Sequence, residues 1–523
     1  MPIINRLKQP KNLTCLALSL LVLLTLFVYA NSLFGDLLEW DDRQQVSQNL
    51  DIRQLDSEHL KKIFSTFYLG MYQPLATLSF AVENKLFNLQ TFWLRFDNLW
   101  LHLLNLCLVY WLTKRLFNRR LIALITATLF ALFPLQVETV AWVSARSNLL
   151  SATFILSSLI AFTFYQKKQT PSFYSLTLIL FFGSLLAKAT GLFLPFILLA
   201  LDYQQKRRFD KKVWLEKIPF FILALIFGWL ATTGRVTTSL LPTADYYWLA
   251  KLFILPYPFI FYLSKLILPI NLSPYYGFPV LANGWLPPIF YLSFLLWLIL
   301  LIIVWRWRAQ RTLVWLAGFY HLLILPTLPI GNFSAVLAAD RYIYLAGLAW
   351  WWLFSWLFAL ALTKFKKAKI YLIAGLLIIV CLLAALSKNQ AEIWSDNLSL
   401  WRDMVKDNPQ SADIYSNAGN AESRRGNLDK ALEYYNKALA LKPNDAFIYN
   451  NIASALAQNN GDKLKAIDYY SQAIKLKSNE ALFYYNRGLV EINIKQTKLG
   501  CQDLMTADQL GYKEAQEKIK QCQ

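Results

Sequence analysis

The sequence predicts an all-α protein in two parts, a polytopic membrane body followed by a soluble helical-repeat tail. Three observations carry this. Of 523 residues, 56% are hydrophobic, 16% aromatic and only 16% charged, which excludes an ordinary soluble domain for most of the chain. The apolar residues gather in runs of about 20, the length a helix needs to cross a bilayer. Near the C-terminus the composition turns polar, with a pattern that recurs roughly every 34 residues. A formal net charge of +20 would suggest nucleic acid in a soluble protein. Here Lys and Arg cluster in short segments between apolar runs, so the expected partner is membrane lipid and no nucleic acid is expected.

The first run, from Leu13 to Phe34, is too long for the core of a signal peptide and lacks a small-residue cleavage site, so it reads as the first span, near 12–33. Further spans fall near 97–117, 121–134, 148–165, 172–187, 190–203, 213–233, 285–305, 312–329, 343–363 and 370–387, about eleven in all. Orientation follows from the basic segments: Arg6, Lys8 and Lys11, then "KRLFNRR" (114–120), "QKK" (166–168) and "QQKRRFDKK" (204–212). They fall on one side if spans alternate, and the positive-inside rule makes that side cytoplasmic, with the N-terminus.

The stretch 247–280 is interrupted by Pro256 and Pro258, and as a span it would throw "RWRAQR" (306–311) to the wrong side. It is therefore read as a re-entrant or interfacial helix pair, which prolines permit where protein or water satisfies the freed backbone groups. "KFKKAK" (364–369) then also returns to the cytoplasm, and the tail emerges outside. The expected domains are a membrane body over 1–390, a connecting and capping helix over 391–410 packed through Trp394 and Trp401, and the repeats over 411–523.

In the tail, "IYSNAGNAESRRGNLDKALEYYNKALALKP" (414–443) resembles a tetratricopeptide repeat, with Tyr415, Gly419, Ala431, Tyr435, Ala438 and Pro443 at its small, aromatic and turn positions. Tyr449, Ala453 and Ala473 repeat the register with a one-residue insertion near "NNGDK", and Tyr484, Gly488 and Ala507 repeat it again, giving about three repeats of an α-solenoid that offers a surface to protein partners. None of the five cysteines has metal-site spacing. Cys501 and Cys522 either form a disulfide, if the tail lies outside the cytoplasm, or remain two buried helical thiols, the more ordinary outcome.

On this topology four polar islands meet the outer face: "LLEWDDRQQVSQ" (37–48), "FPLQVETVAWVSARSN" (133–148), "AKATG" (187–191) and "LAADRYIYL" (337–345). Charged residues at span edges are costly near lipid and usually face a cavity. The islands supply a candidate base in Asp41 or Asp42, further carboxylates in Glu138 and Asp340, and cations in Arg146, Lys188 and Arg341. That inventory suits sugar transfer from a lipid phosphate. A carboxylate takes the proton of an acceptor hydroxyl as it attacks the anomeric carbon, and fixed cations stabilise the departing phosphate. Each residue also has a structural reading. Glu138 and Arg146, about two helical turns apart, could bond at a helix end. Lys188 and Arg341 could be interfacial anchors, and His102, four residues after Asn98, an inter-helix hydrogen bond.

The segments "WDD" (40–42), "YQPL" (72–75), Asn98 and His102, "FPLQVETVAWVSAR" (133–146), "AK" (187–188) and "ADRY" (339–342), followed by the repeats, make the chain similar to the transmembrane and tetratricopeptide-repeat O-mannosyltransferase family, specifically its bacterial relatives within the GT-C glycosyltransferases. The resemblance implies a GT-C-like helical body in a bacterial cytoplasmic membrane, with Asp41 and Asp42 as catalytic pair, Asp41 weakly preferred. Arg146, Lys188 and Arg341 are then candidates for the donor phosphate, with Glu138, His102 and Asp340 in support. It implies a polyprenyl phosphate-linked donor such as a mannosyl lipid, and an acceptor hydroxyl on Ser or Thr of an exported polypeptide or on a surface glycan. It also implies no cofactor and no metal, although paired carboxylates can equally hold a divalent cation. The chain departs from the family at Phe133 and Gln136, where His is common, at Gln73, where Arg is common, and at Ala189, where Glu is common. These departures support an alternative, a non-catalytic membrane scaffold whose repeats assemble partner proteins.

Overall fold

The computed structural model describes residues 11–237, 248–329, 336–458 and 462–522; Arg6 and Lys8 lie outside the described residues. Two units result, Met1–Asp396 and Asn397–Gln523. In the first, α1 (Lys11–Tyr29) precedes α2 (Ser57–Ser65) and α3 (Pro74–Phe87). There follow α4 (Thr91–Phe117), α5 (Arg120–Leu132), α6 (Val137–Ala141), α7 (Arg146–Lys168), α8 (Pro171–Ala187), α9 (Leu194–Gln204), α10 (Lys211–Leu215), α11 (Ile218–Thr237), α12 (Trp248–Ile254), α13 (Tyr257–Ile267), α14 (Pro288–Arg306), α15 (Arg311–Ile324), α16 (Leu348–Lys364) and α17 (Lys369–Ile393). Prolines open α3, α8 and α14, where a missing N–H leaves no bond unmade. Basic residues fill the last turns of α4 and α7, against the negative ends of those helices.

Among the described residues six stretches are long and apolar enough to cross a bilayer: Asn12–Tyr29, Val143–Lys168, Lys211–Gly234, Trp248–Ile267, Pro288–Arg306 and Lys366–Ile393. The pair Arg120–Leu132 and Pro134–Ala141, bent by 58°, makes a seventh if counted as one. The spans expected from the sequence also include helices that are shorter or more polar than these. The helices at 171–187, 189–204 and 348–364 are apolar but shorter. Helix α4 is 27 residues long, yet it buries Arg95, Asn98, His102, Asn105 and Thr113. Polar residues at that spacing share one face, and each bonds inside the protein. Asn98 Nδ2 donates to the Trp142 carbonyl at 2.8 Å, His102 Nδ1 lies 2.9 Å from the Tyr344 hydroxyl, and Asn105 Nδ2 donates to the Leu149 carbonyl at 3.1 Å. Neighbouring protein is thus the solvent for α4. Helix α7 is central, with 72% of its apolar window buried, whereas α14 and α17 are 11% buried and present their surfaces to lipid.

The stretch read as re-entrant or interfacial comprises α12 and α13, whose combined Trp248–Ile267 has the length and apolarity of a span. Both of its halves are nevertheless tied to one short segment: Ala250 packs with Leu337, and the Tyr262 hydroxyl donates to the Ala339 carbonyl at 3.0 Å.

The body has two chemically different ends. At one, Arg95 is 1% exposed and gathers four carbonyls, those of Ser32, Asp36, Ala141 and Trp394, at 2.5–3.0 Å. A side chain on Gly35 would run into the Arg95 guanidinium and the Ser395 backbone, which is why a residue without Cβ is needed there. Trp394 also packs on Trp142, with ring centroids 6.0 Å apart. Roughly 30 Å along α4, at the other end, Arg115 Nε donates to Thr163 Oγ1 at 2.6 Å and Arg311 donates to the Tyr203 carbonyl at 3.2 Å, so the loops at 114–120, 166–168, 204–212 and 306–311 meet.

The second unit contains α18 (Asn397–Asp407), then α19 (Ala412–Arg424) with α20 (Leu428–Leu441), α21 (Ala446–Gln458) with α22 (Lys463–Leu476), α23 (Ala481–Asn493) with α24 (Thr497–Gln509), and α25 (Glu514–Ile519). Ala431, Tyr435 and Ala438 are buried, and so are Ala466, Tyr470 and Ala473 one repeat later. A Cβ on Gly419 would lie 2.5 Å from the Tyr435 ring, so the small residue sets how closely α19 and α20 approach. The segment 391–410 is divided between the units, with Trp394 in the body and Trp401 buried on α18 in the tail. Cys501 and Cys522 are joined, with Cα atoms 5.8 Å apart; α25 turns the chain back so that the less ordinary of the two expected outcomes is realised.

Candidate active site

A cavity of about 400 Å³ opens at the end of the body organised by Arg95. Asp41, Asn148, Lys188 and Arg341 line its polar part, together with Tyr72, Trp142, Ser144 and Tyr342. Leu192, Phe193, Phe227, Leu325 and Leu328, from α11 and the segments flanking α9 and α15, make an apolar wall.

The two adjacent aspartates have separate environments. Asp42 is fully buried and accepts from the backbone N–H of Leu38 and of Ser144, each at 2.9 Å, and from the Ser144 hydroxyl. It fixes the 38–42 turn to the segment before α7 and does not line the cavity. Asp41 is half-buried and faces it. Burial pushes the Asp41 carboxyl up to about 7; Arg341 and Lys188 pull it down and Asp42 pushes it further up. A carboxylate poised there can accept a proton near neutral pH.

The cations sort in the same way. Arg341 lines the cavity over the Trp142 ring, 5.3 Å from its centroid. Glu138 accepts from its Nη1 at 2.5 Å and its backbone N–H at 2.6 Å, and the Pro274 carbonyl accepts from Nη1 at 3.2 Å. Glu138 thus orients Arg341, leaving its other guanidinium nitrogens outside that clamp. Lys188 Nζ donates to Asn148 Oδ1 at 2.8 Å. Arg146 corrects the expected phosphate set. Its guanidinium is 1% exposed and committed to Glu83 at 2.7 Å, Asn98 at 2.6 Å and the Leu94 carbonyl at 2.6 Å, away from the cavity. His102 lies between Phe130 and Tyr29 and is engaged by Tyr344, so it too is a packing element. Asp340 is buried and accepts from the Tyr276 hydroxyl at 2.9 Å, one step behind Arg341.

Ser144, Asn148 and Arg95 carry no role of their own in the sequence reading, and Tyr72 enters it only as part of "YQPL" (72–75). Ser144 and Asn148 stand two residues either side of Arg146; the charged residue turns to Glu83, and its neutral neighbours reach the site. Of the family departures, Ala189 lines the cavity, while Phe133 packs on Trp351 and the Gln136 amide donates to the Tyr344 carbonyl, neither in the lining. Among the described residues no group of three or more His, Cys, Asp or Glu is arranged to hold a metal ion.

Fold and site together define a polytopic, all-α membrane protein with an acid-and-cation cavity at one end of its body and a tetratricopeptide-repeat tail. Residues 412–445 and 448–480 each match the tetratricopeptide repeat model. Beyond the repeats, the chain is similar to proteins named protein O-mannosyl-transferases. It is 24% identical to the protein O-mannosyl-transferase F38B6.6 of Caenorhabditis elegans, over 82% of this chain and 63% of that protein. It is 25% identical to the protein O-mannosyl-transferase TMTC1 of Homo sapiens, over 82% of this chain and 55% of that protein. The chain therefore spans less than two thirds of the length of these curated relatives. The crystal structure of the apo oligosaccharyltransferase of Archaeoglobus fulgidus aligns with a TM-score of 0.44 and 13% identity, over 73% of this chain and 56% of that one.

Proposed function

We propose that the protein is an integral-membrane glycosyltransferase that moves a sugar, mannose in the first instance, from a polyprenyl phosphate to a hydroxyl acceptor. The observation that carries this is the cavity itself: Asp41, Lys188 and Arg341 share a polar pocket whose other wall is apolar. A lipid-linked sugar phosphate needs both surfaces. In this reading Asp41 accepts the proton of the acceptor hydroxyl while its oxygen bonds to the anomeric carbon. The bond from that carbon to the phosphate oxygen breaks, and Arg341 and Lys188 stabilise the charge left on the phosphate. Asp42 does no proton transfer; it holds the Asp41 turn against Ser144.

The relatives' names support a protein hydroxyl as acceptor; in this reading it is Ser or Thr of an exported polypeptide recruited by the repeats, and a surface glycan is the other acceptor class. The membrane in this reading is a bacterial cytoplasmic one, and two observations support a site facing outward from it. The basic loops gather at the opposite end, and the Cys501–Cys522 bond suits an oxidising compartment. Ala189 in the lining, where the family commonly has Glu, favours the scaffold alternative.

The deciding experiment measures polyprenyl phosphate release from mannosyl polyprenyl phosphate by purified protein, with membrane extract as acceptor source. Release by wild type that Asp41→Asn abolishes, at unchanged amounts of protein in the membrane, supports transfer. Absence of release from this donor and from a panel of other lipid-linked sugars would favour the scaffold.

A further inference from the structure

The basic end of the body contains a second cavity, of about 590 Å³, which the transfer reaction does not use. Three loop regions supply its lining: Arg115 from the end of α4, Lys167 and Gln169 from the end of α7, and Arg207, Asp210 and Lys212 from the α9–α10 connection and the start of α10. A basic loop end needs no ligand when its charges only set topology and neutralise helix termini. Two features go beyond that. The cations converge on a concavity rather than pointing apart, and they outnumber the acids there. Asp202 pairs with the buried Lys217 at 2.7 Å and Glu216 with Arg207 at 2.7 Å, which leaves Asp210, whose carboxylate caps the Val213 N–H at 3.0 Å, as the acid in a lining that holds Arg115, Lys167, Arg207 and Lys212.

What remains is a cationic surplus. Arg115 donates to the Thr163 hydroxyl and stacks over Phe164, 3.6 Å from the ring centroid. Lys212 reaches only the neutral Gln169 amide oxygen, at 3.3 Å. No carboxylate pairs with Arg115, Lys167 or Lys212 among the described residues. Cations held together in excess of acids lower their mutual repulsion by taking an anion, and a compact pocket at head-group depth between helices suits a phosphate.

We propose that this cavity binds a phosphate-bearing anion, either the head group of an anionic phospholipid or a soluble phosphate. The site is separate from the transfer cavity, at the other end of α4. Lys167 and Lys212 are exposed, so replacing them leaves the fold intact.

The test uses full-length protein purified in neutral detergent, with native mass spectrometry reading retained lipid and calorimetry reading inorganic phosphate. The probes are dioleoyl phosphatidylglycerol, dioleoyl phosphatidylcholine and inorganic phosphate. Wild type is expected to prefer phosphatidylglycerol by about tenfold or more. The K167Q/K212Q variant should lose that preference, and K366Q/K367Q, the same charge change on another basic loop, should keep it. Binding of inorganic phosphate without a lipid preference, lost in K167Q/K212Q alone, supports the site with a soluble ligand. Equal behaviour of the two double variants, or no anion binding by wild type, overturns the proposal; thermal melts of each variant separate these outcomes from misfolding.

Discussion

Asp42 and Ser144 are 102 residues apart in sequence, yet the Asp42 carboxylate accepts from both the backbone N–H and the hydroxyl of Ser144. This contact leaves its neighbour Asp41 as the carboxylate that faces the cavity. Adjacent acids with different partners predict different mutant behaviour.

Asp42→Asn should lower stability by about 1–3 kcal/mol, because an amide nitrogen would face an N–H donor in a buried site. Asp41→Asn should not lower the melting temperature, and should lower turnover about 10²–10⁴-fold. Melting curves and single-turnover assays on both variants measure the contrast; equal loss of stability would contradict the assigned roles.

The pH dependence follows from the Asp41 carboxyl at about 7. As a base it works only when ionised, so turnover should rise through that pH and level off above it. The sign for stability is opposite. A carboxyl raised above its unfolded value binds its proton more tightly in the folded state, so ionising it between pH 4 and 7 removes stability. Asp41→Asn should therefore raise the melting temperature more at pH 8 than at pH 5, and should abolish the acid limb of the rate profile.

Arg341→Gln strands Glu138, 2% exposed, without its cation, which costs about 3–5 kcal/mol. The double variant E138Q/R341Q should recover much of that stability and none of the turnover. Recovery of both would show that Arg341 acts only through packing.

Arg146→Gln should behave as a fold variant. It leaves Glu83 buried and unpaired at a similar cost of about 3–5 kcal/mol. Less folded protein should reach the membrane, and the fraction that does should keep the wild-type KM for donor. A raised KM at unchanged stability would return Arg146 to the phosphate set.

Reducing the Cys501–Cys522 bond, or Cys501→Ser, should lower tail stability by roughly 3 kcal/mol for a loop of this length. Hydrogen exchange across α23 to α25 in full-length protein reads the effect, which should be absent from the body.

The repeats were legible because their evidence is local: Gly419, Tyr435 and Ala438 recur at fixed spacing, and one repeat's packing concerns only its neighbours. The membrane body was legible through apolar runs, but less so in α4. Polar side chains there are solvated by other helices, and the contacts that make Asn98, His102 and Asn105 acceptable in a membrane join segments more than 40 residues apart.

The sequence by itself determined which chemistry is available at the polar end: the acids and cations of four loops. Only the tertiary structure decided which of them meet. Asp41, Lys188 and Arg341 share a cavity, whereas Asp42, Arg146 and His102 are consumed by Ser144, Glu83 and Tyr344. The physical reason is that a charge buried in protein must be paired, and whether its partner is a substrate or another side chain depends on which helices pack together, which residue type and spacing do not encode.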